Sequence, residues 1–333
     1  MKKLQSIGWP KLVCTALAMT TMLFQSAADV AHFKADPAEV LGAENCKECH
    51  VPIFAAWEQT HHFGSFSAGF NGKPAMHRSD AAKDILKKLG MRSAKRGSCV
   101  ECHYTGQGSG ERIKTISGTS CESCHGGGKA WNKVHSNKED PDALKKSEAL
   151  GMIRPHDTYA VAANCYTCHT IPNEELVNKG GHTAGSDFEL VSWSQGEIRH
   201  NLQKTEGKSN PEASADHKRV LYVVGRLLDL EYSVRALAKA TTDGTYAQKM
   251  TERINRIAAE VKKIAGTGAA GVGEIAGLVD AGQLKAGNAG GLTKLAEAIA
   301  AKSKAFAKGN DGSKLAGVDA MIPTSYKGKA YQP

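Results

Sequence analysis

Beyond its first 28 residues the sequence has no long apolar run, no basic stripe and no cysteine left over once the others are paired by spacing. The first absence excludes a later membrane-spanning helix, which needs roughly 20 apolar residues. The second argues against nucleic acid as a partner. The formal charge is +9, yet Lys2, Lys3 and Lys11 fall in the N-terminal stretch, and the other basic residues alternate with acidic ones. The N-terminal stretch itself, residues 1–28, reads as an export signal. Lys2 and Lys3 lead, an apolar run follows from Leu12 to Phe24, and the small residues Ser26 and Ala28 are placed for cleavage. The expected product is a soluble periplasmic protein beginning near Asp29. Cys14 stands at the start of the apolar run rather than after it, the wrong place for a lipid-modified cysteine.

What is there is a repeated unit. Cys46, Cys49, Cys99, Cys102, Cys121, Cys124, Cys165 and Cys168 form four pairs, each followed at once by a histidine: "CKECH", "CVECH", "CESCH" and "CYTCH", with His50, His103, His125 and His169. Covalent haem attachment explains every element of the unit. Two thioether sulfurs three positions apart lie about one helical turn from each other, and the next residue reaches the iron from the same side as proximal ligand.

Three other chemistries use part of the pattern. Cys99, Cys102, Cys121 and Cys124 have zinc-ribbon spacing, but a ribbon needs neither a histidine after every pair nor two flanking copies. A disulfide framework suits an exported chain but gives no reason for four adjacent histidines. Thioredoxin-like chemistry wants one such pair, not four. The expected cofactors are four c-type haems, whose propionates subtract up to two charges each and bring the holoprotein towards neutrality.

A low-spin haem holds two histidines on opposite faces of one iron. If residues 51 to 62 are helical, His62 lies about 18 Å along the axis from His50 and serves a different haem. Thirteen histidines, less the four proximal ones, leave nine candidates for distal positions.

The segments "GSCVECHYTGQGSG" and "ISGTSCESCHGGGKAWNKVH", with "WEQTHH" after the first site and "RPHDTYAVAANCYTCH" before the fourth, resemble the tetrahaem cytochrome c-554 family. The likeness runs from Glu44 to His169 and is most specific from Gly118 to His135. It implies four haems, bis-histidine ligation at most irons, and a second haem, that of Cys99, Cys102 and His103, with one open face. It also implies that His62 caps the third haem, with His61 as the neighbouring fallback, that His135 caps the first and that His156 caps the fourth. His32, His77, His182, His200 and His217 remain unassigned, and any of them, or Met76, Met91 or Met152, can fill the second haem's sixth position.

After His169 the likeness fades. From Pro211 onward apolar residues recur at three and four: Val220, Val223, Val224, Leu227, Leu230, Val234 and Leu237 on one predicted helix, and Tyr246, Met250, Ile254, Ile257, Val261 and Ile264 on a second. Asp243-Gly244 supplies the turn between them, and a third helix spans about Leu292 to Phe306. The glycines at 266, 268 and 271 match a dinucleotide fingerprint, but no strand precedes them and the stretch reads as a loop. The expected fold is mainly α, a multihaem c-type cytochrome with little strand followed by a helical hairpin or small bundle. Its parts are 29–200 for the haems, 201–308 for the helices and 309–333 for an extended tail. The helices cover a haem face, make a homo-oligomer or dock a partner, and the sequence does not separate these.

An electron carrier serving larger redox proteins fits best, since closely spaced haems load and release electrons singly and no catalytic base is required. The alternative is a small-molecule redox enzyme acting on nitric oxide or a nitrogen or sulfur oxyanion at an open second haem. No Cys-x-x-Cys-Lys, the catalytic attachment unit of multihaem nitrite reductases, occurs in the chain. Stacking into a conductive filament is a third reading, against which the large helical segment argues.

Overall fold

The computed structural model describes residues Lys34 to Pro333. The export signal and His32 lie outside the described residues. The architecture is mainly α, with one two-stranded sheet among the described residues.

The four longest helices are α1 (Thr158–His169), α2 (Ala215–Leu237), α3 (Thr245–Gly266) and α4 (Ala289–Gly309). Asp157 caps α1 by accepting from the Ala160 N–H, and Ser214 caps α2 through the His217 N–H. The apolar stripes read from sequence are the buried faces: Val223, Val224, Leu227, Leu230 and Val234 of α2 meet Met250, Ile254, Ile257 and Val261 of α3, and Leu292, Ala296 and Ile299 of α4 join the same core. Tyr159, Ala162 and Tyr166 of α1 belong to it too, so the helix that ends in the fourth Cys-x-x-Cys-His unit is rooted in the C-terminal bundle. The glycine-rich stretch is a loop, with Gly268 and Gly271 at positive φ. Past α4 the chain makes a short 3₁₀ turn over Ala316–Met321 and returns to the bundle, burying Leu315 and Val318.

Inside the bundle lies an ion network. Asp229 takes the Arg253 Nε at 2.7 Å, while Arg226 stands 3.1 Å from Glu260 and 3.6 Å from Glu189. Glu231 accepts from the Tyr159 hydroxyl at 2.5 Å and pairs with Arg235, tying α1 to α2. At the hairpin turn, Glu174 accepts from the N–H and hydroxyl groups of both Thr241 and Thr242.

The first half is built differently. Its helices have at most ten residues, and a separate apolar cluster contains only Ala94, Val100 and Tyr104 as buried members. Strands β1 (Tyr104–Gln107) and β2 (Lys114–Gly118) pair antiparallel between the second and third cysteine units, with an irregularity between Thr105 and Gly106.

Candidate haem-binding sites

All four cysteine units sit on helical turns, as covalent attachment requires. The His50 N–H donates to the Cys46 carbonyl at 2.9 Å, the second unit closes in the turn Val100–His103, the third is the helix Cys121–His125, and the fourth ends α1. None of the eight cysteines is in a disulfide. No cluster of three or more histidine, cysteine or acidic side chains among the described residues is arranged to hold a bare metal ion. A haem iron needs only two ligands from the chain, because the porphyrin supplies the rest.

The histidine of each unit faces one remote histidine. The His50 ring lies 6.2 Å, centroid to centroid, from His135, His125 lies 6.4 Å from His200, His169 lies 6.4 Å from His62, and His103 lies 6.5 Å from His182. Metal–nitrogen bonds of about 2 Å on both sides, with half a ring beyond each, require a separation of roughly 6 Å. Four remote histidines thus stand opposite four attachment histidines at nearly one spacing, and this donor set fits haem.

The ring nitrogens are oriented as well. Nδ1–H of His135 donates to the Asn132 carbonyl at 2.5 Å, that of His182 to Thr183 at 3.0 Å, and that of His200 to Ile198 at 2.6 Å. On the attachment side, His125 donates to the Ile153 carbonyl at 2.9 Å and His50 to the Gln203 side-chain oxygen at 3.2 Å. His169 Nδ1 meets Ser186 Oγ at 3.2 Å, and the same hydroxyl donates back to the His169 carbonyl at 3.0 Å. Each such bond fixes the tautomer and leaves Nε2 free to bind a metal.

Burial keeps several of these rings neutral, the form that ligates. Loss of solvent, followed by the neighbouring His182 and His62, pushes His103 down to about 4, and loss of solvent, then His62 and His103, takes His169 to about 3. Burial lowers His62 and His125 in the same direction.

Backbone contacts hold the third site in place. Glu122, the second residue of its unit, is buried and accepts from the N–H groups of Leu41, Gly42 and Gly128 at 2.7–2.8 Å, which locks this unit beside the first. A Cβ on Gly118 would lie 1.9 Å from the His62 carbonyl, so only glycine lets β2 approach the His62 turn. A cleft lined by Trp57, Cys121, Cys124, His125, Glu197 and His200 marks the slot of this site.

The expected distal histidines are placed as follows. His135 faces His50 of the first unit. His62 faces His169 of the fourth unit rather than His125 of the third, because the helix Val51–Glu58 stops before it and a new turn, His61–Gly64, redirects the ring. His156 faces no attachment histidine; it precedes the α1 cap, is exposed, and its Nδ1 lies 3.4 Å from Glu148. His61 is tied to Glu197 through both its N–H, at 2.7 Å, and its Nδ1, at 2.6 Å. His77 packs against Phe66 and Tyr104, and His217 is exposed on the first turn of α2. His182, His200, Glu122, Gln203 and Ser186 were not singled out for these positions by spacing, and their nearest sequence signal is a histidine in a glycine-flanked or capped turn.

The sites also adjoin one another. Glu122 of the third unit holds the Leu41 and Gly42 N–H groups beside the first, Cys168 Sγ of the fourth lies 3.8 Å from the Glu101 carbonyl of the second, and the Asn164 side chain next to Cys165 donates to the Cys124 carbonyl at 2.8 Å. The first and third units are therefore neighbours, as are the second and fourth, and the third and fourth.

Residues 45–126 match the family described as "Cytochrome c554 and c-prime". A curated relative, cytochrome c-554 of Nitrosomonas europaea, is 26% identical over 140 residues, covering 38% of this chain and 56% of that protein. The chain thus matches about half the length of this relative. No solved structure matches it significantly. The paired imidazoles agree with the matched segment, so over residues 45–126 the chain is similar to the cytochrome c554 family, and a helical region follows the matched part.

Proposed function

We propose that this chain is a periplasmic tetrahaem cytochrome that relays electrons between redox partner proteins. The observation that carries the reading is the facing of each attachment histidine by a remote histidine at 6.2–6.5 Å. Three pairs are assigned here as axial ligand sets: His50 with His135, His125 with His200, and His169 with His62. Bound haem would supply one-electron chemistry at low potential, as bis-histidine ligation favours relative to methionine–histidine. The chain's own contribution is to hold the rings, fix their tautomers and set the sites in the order first, third, fourth, second through the contacts of Glu122, Asn164 and Cys168 with neighbouring units.

Residues 29–200 would carry the cofactors, 201–308 would back the fourth site, and 309–333 would fasten the bundle. Among the described residues no helix is long and apolar enough to cross a membrane. The haem groups should amount to four per chain by pyridine haemochrome assay of the periplasmic fraction, with a potentiometric titration resolving four one-electron steps at negative potential. A protein that matures with fewer than four haems, or that keeps a zinc ion instead, would refute the proposal.

A further inference from the structure

We infer that His182 is the axial partner of His103, so that the second haem is closed on both faces and offers no position to a small molecule. The inference rests on the tetrahaem reading and departs from the open second site that the family resemblance implies. His182 lies outside the segment matched by the family, so nothing in that match bears on it.

The geometry makes no distinction between this site and the others. The His103–His182 ring separation of 6.5 Å compares with 6.2, 6.4 and 6.4 Å for the remaining pairs. A vacant coordination position would have left the attachment histidine facing open space or a non-ligating side chain. The competing candidates are turned elsewhere: His77 packs on Tyr104 and Phe66, and Met91 reaches the Gly97 backbone and the Ser98 hydroxyl.

The loop that presents His182 is built for one conformation. Gly180, Gly181 and His182 donate their N–H groups to the carbonyls of Glu175, Val177 and Leu176, terminating the helix Glu174–Asn178. A Cβ on Gly180 would stand 2.5 Å from the Leu176 carbonyl, and Gly181 has φ +75°, so side chains at either position would disturb the turn. At the far end, Ser186 N–H donates to the His169 carbonyl at 3.1 Å and the Ser186 carbonyl accepts from Arg253 at 2.7 Å. The loop is pinned at both ends, and the Thr183 carbonyl holds His182 Nδ1–H between them. Nε2 is thereby left as the unprotonated nitrogen on the side where a ligand is needed.

The same loop serves two sites at once. Its first half presents His182 to the second, while its Ser186 hydroxyl orients His169 of the fourth.

The test uses purified holoprotein, its haem content, the carbon monoxide difference spectrum after dithionite reduction, and low-temperature electron paramagnetic resonance of the oxidised form. The native protein is expected to bind no carbon monoxide and to show only low-spin ferric haem. His182→Ala is expected to keep four haems, to bind carbon monoxide at one haem per chain and to gain one high-spin signal. Adding imidazole to His182→Gly should restore the low-spin spectrum. Carbon monoxide binding at one haem per native chain would overturn the inference, as would a His182→Ala protein that remains wholly low-spin. The native spectra decide closure even if the variants mature poorly. A native haem count below four would instead strike at the tetrahaem reading, so the two failures are told apart.

Discussion

From Lys34 to the start of α1 the chain buries a cluster of only three apolar residues, Ala94, Val100 and Tyr104, whereas from Tyr159 to Val318 it packs a continuous core of aliphatic and aromatic side chains. The first region's helices are too short to stand alone, since isolated helices below about 12–15 residues are marginal in water. The second has helices of 23, 22 and 21 residues with matched apolar faces. What the difference teaches is where each half finds its interior. The bundle makes one from its own leucines, isoleucines and valines, and the first half leaves gaps between facing histidines that a flat apolar cofactor would fill.

The strongest way to break this comparison is to withhold one cofactor. Changing Cys121 and Cys124 together to serine should erase hydrogen-exchange protection around the third unit, from Leu41 to His135, while the amides of α2, α3 and α4 keep theirs. Equal loss in both halves, read by exchange mass spectrometry, would show that they fold as one unit.

A smaller effect lies within the bundle. Asp229→Ala takes the carboxylate from Arg253 in an apolar interior, while Arg226 keeps Glu260 and Glu189, and loss of a buried partner costs about 3–5 kcal/mol. Chemical denaturation followed by far-ultraviolet circular dichroism should register it, with the Soret band of the first and third sites unchanged at low denaturant. Smaller again is Ile257→Val, at about 0.5–1.5 kcal/mol for one buried methylene. Ile257 is fully buried in the core, so the change should appear in the bundle's midpoint and not in any haem spectrum.

The smallest effect is a pH dependence at the hairpin turn. Hydrogen bonds, chiefly from the Thr242 hydroxyl and then from Thr241 and the Thr242 backbone, hold Glu174 at about 2, below its ordinary 4.5. A depressed carboxyl stabilises the fold above the ordinary value and loses that stabilisation as pH falls towards 2. The group is largely solvated, so the contribution is modest. Glu174→Gln should therefore melt slightly lower than the native protein at pH 6, with the gap closing between about pH 4.5 and 2 in thermal scans.

The bundle was legible because helix periodicity is a local property: the stripes at Val220 to Leu237 and Tyr246 to Ile264 are the buried faces, and Asp243-Gly244 does lie between them. The Cys-x-x-Cys-His units are local in the same way, five consecutive residues each, and the second, third and fourth lie on helical turns. Pairing of the remote rings was not legible. Which histidine meets which depends on where loops land, and the helix break at Gln59 and Thr60 that swings His62 to the fourth unit carries no signal in a count of residues from His50. His156 illustrates the reverse. Nine residues before Cys165 looks like a ligand's place, but Asp157 begins α1 there and leaves the imidazole outside with Glu148. His182 and His200 are fixed by single carbonyls in irregular turns, a kind of support that composition and periodicity do not register.

The position of α1 has a consequence in time. Its cysteines are the proposed thioether donors of the fourth site, but Cys165 packs against the same core as Tyr166, which is fully buried against α2. An enzyme that stitches a porphyrin onto those sulfurs needs them uncovered. Attachment at the fourth unit must therefore precede the docking of α1 on the hairpin, although the hairpin has all it needs to form early. The hairpin follows α1 in the chain, so a maturation system acting too slowly would meet a fourth unit already packed against it.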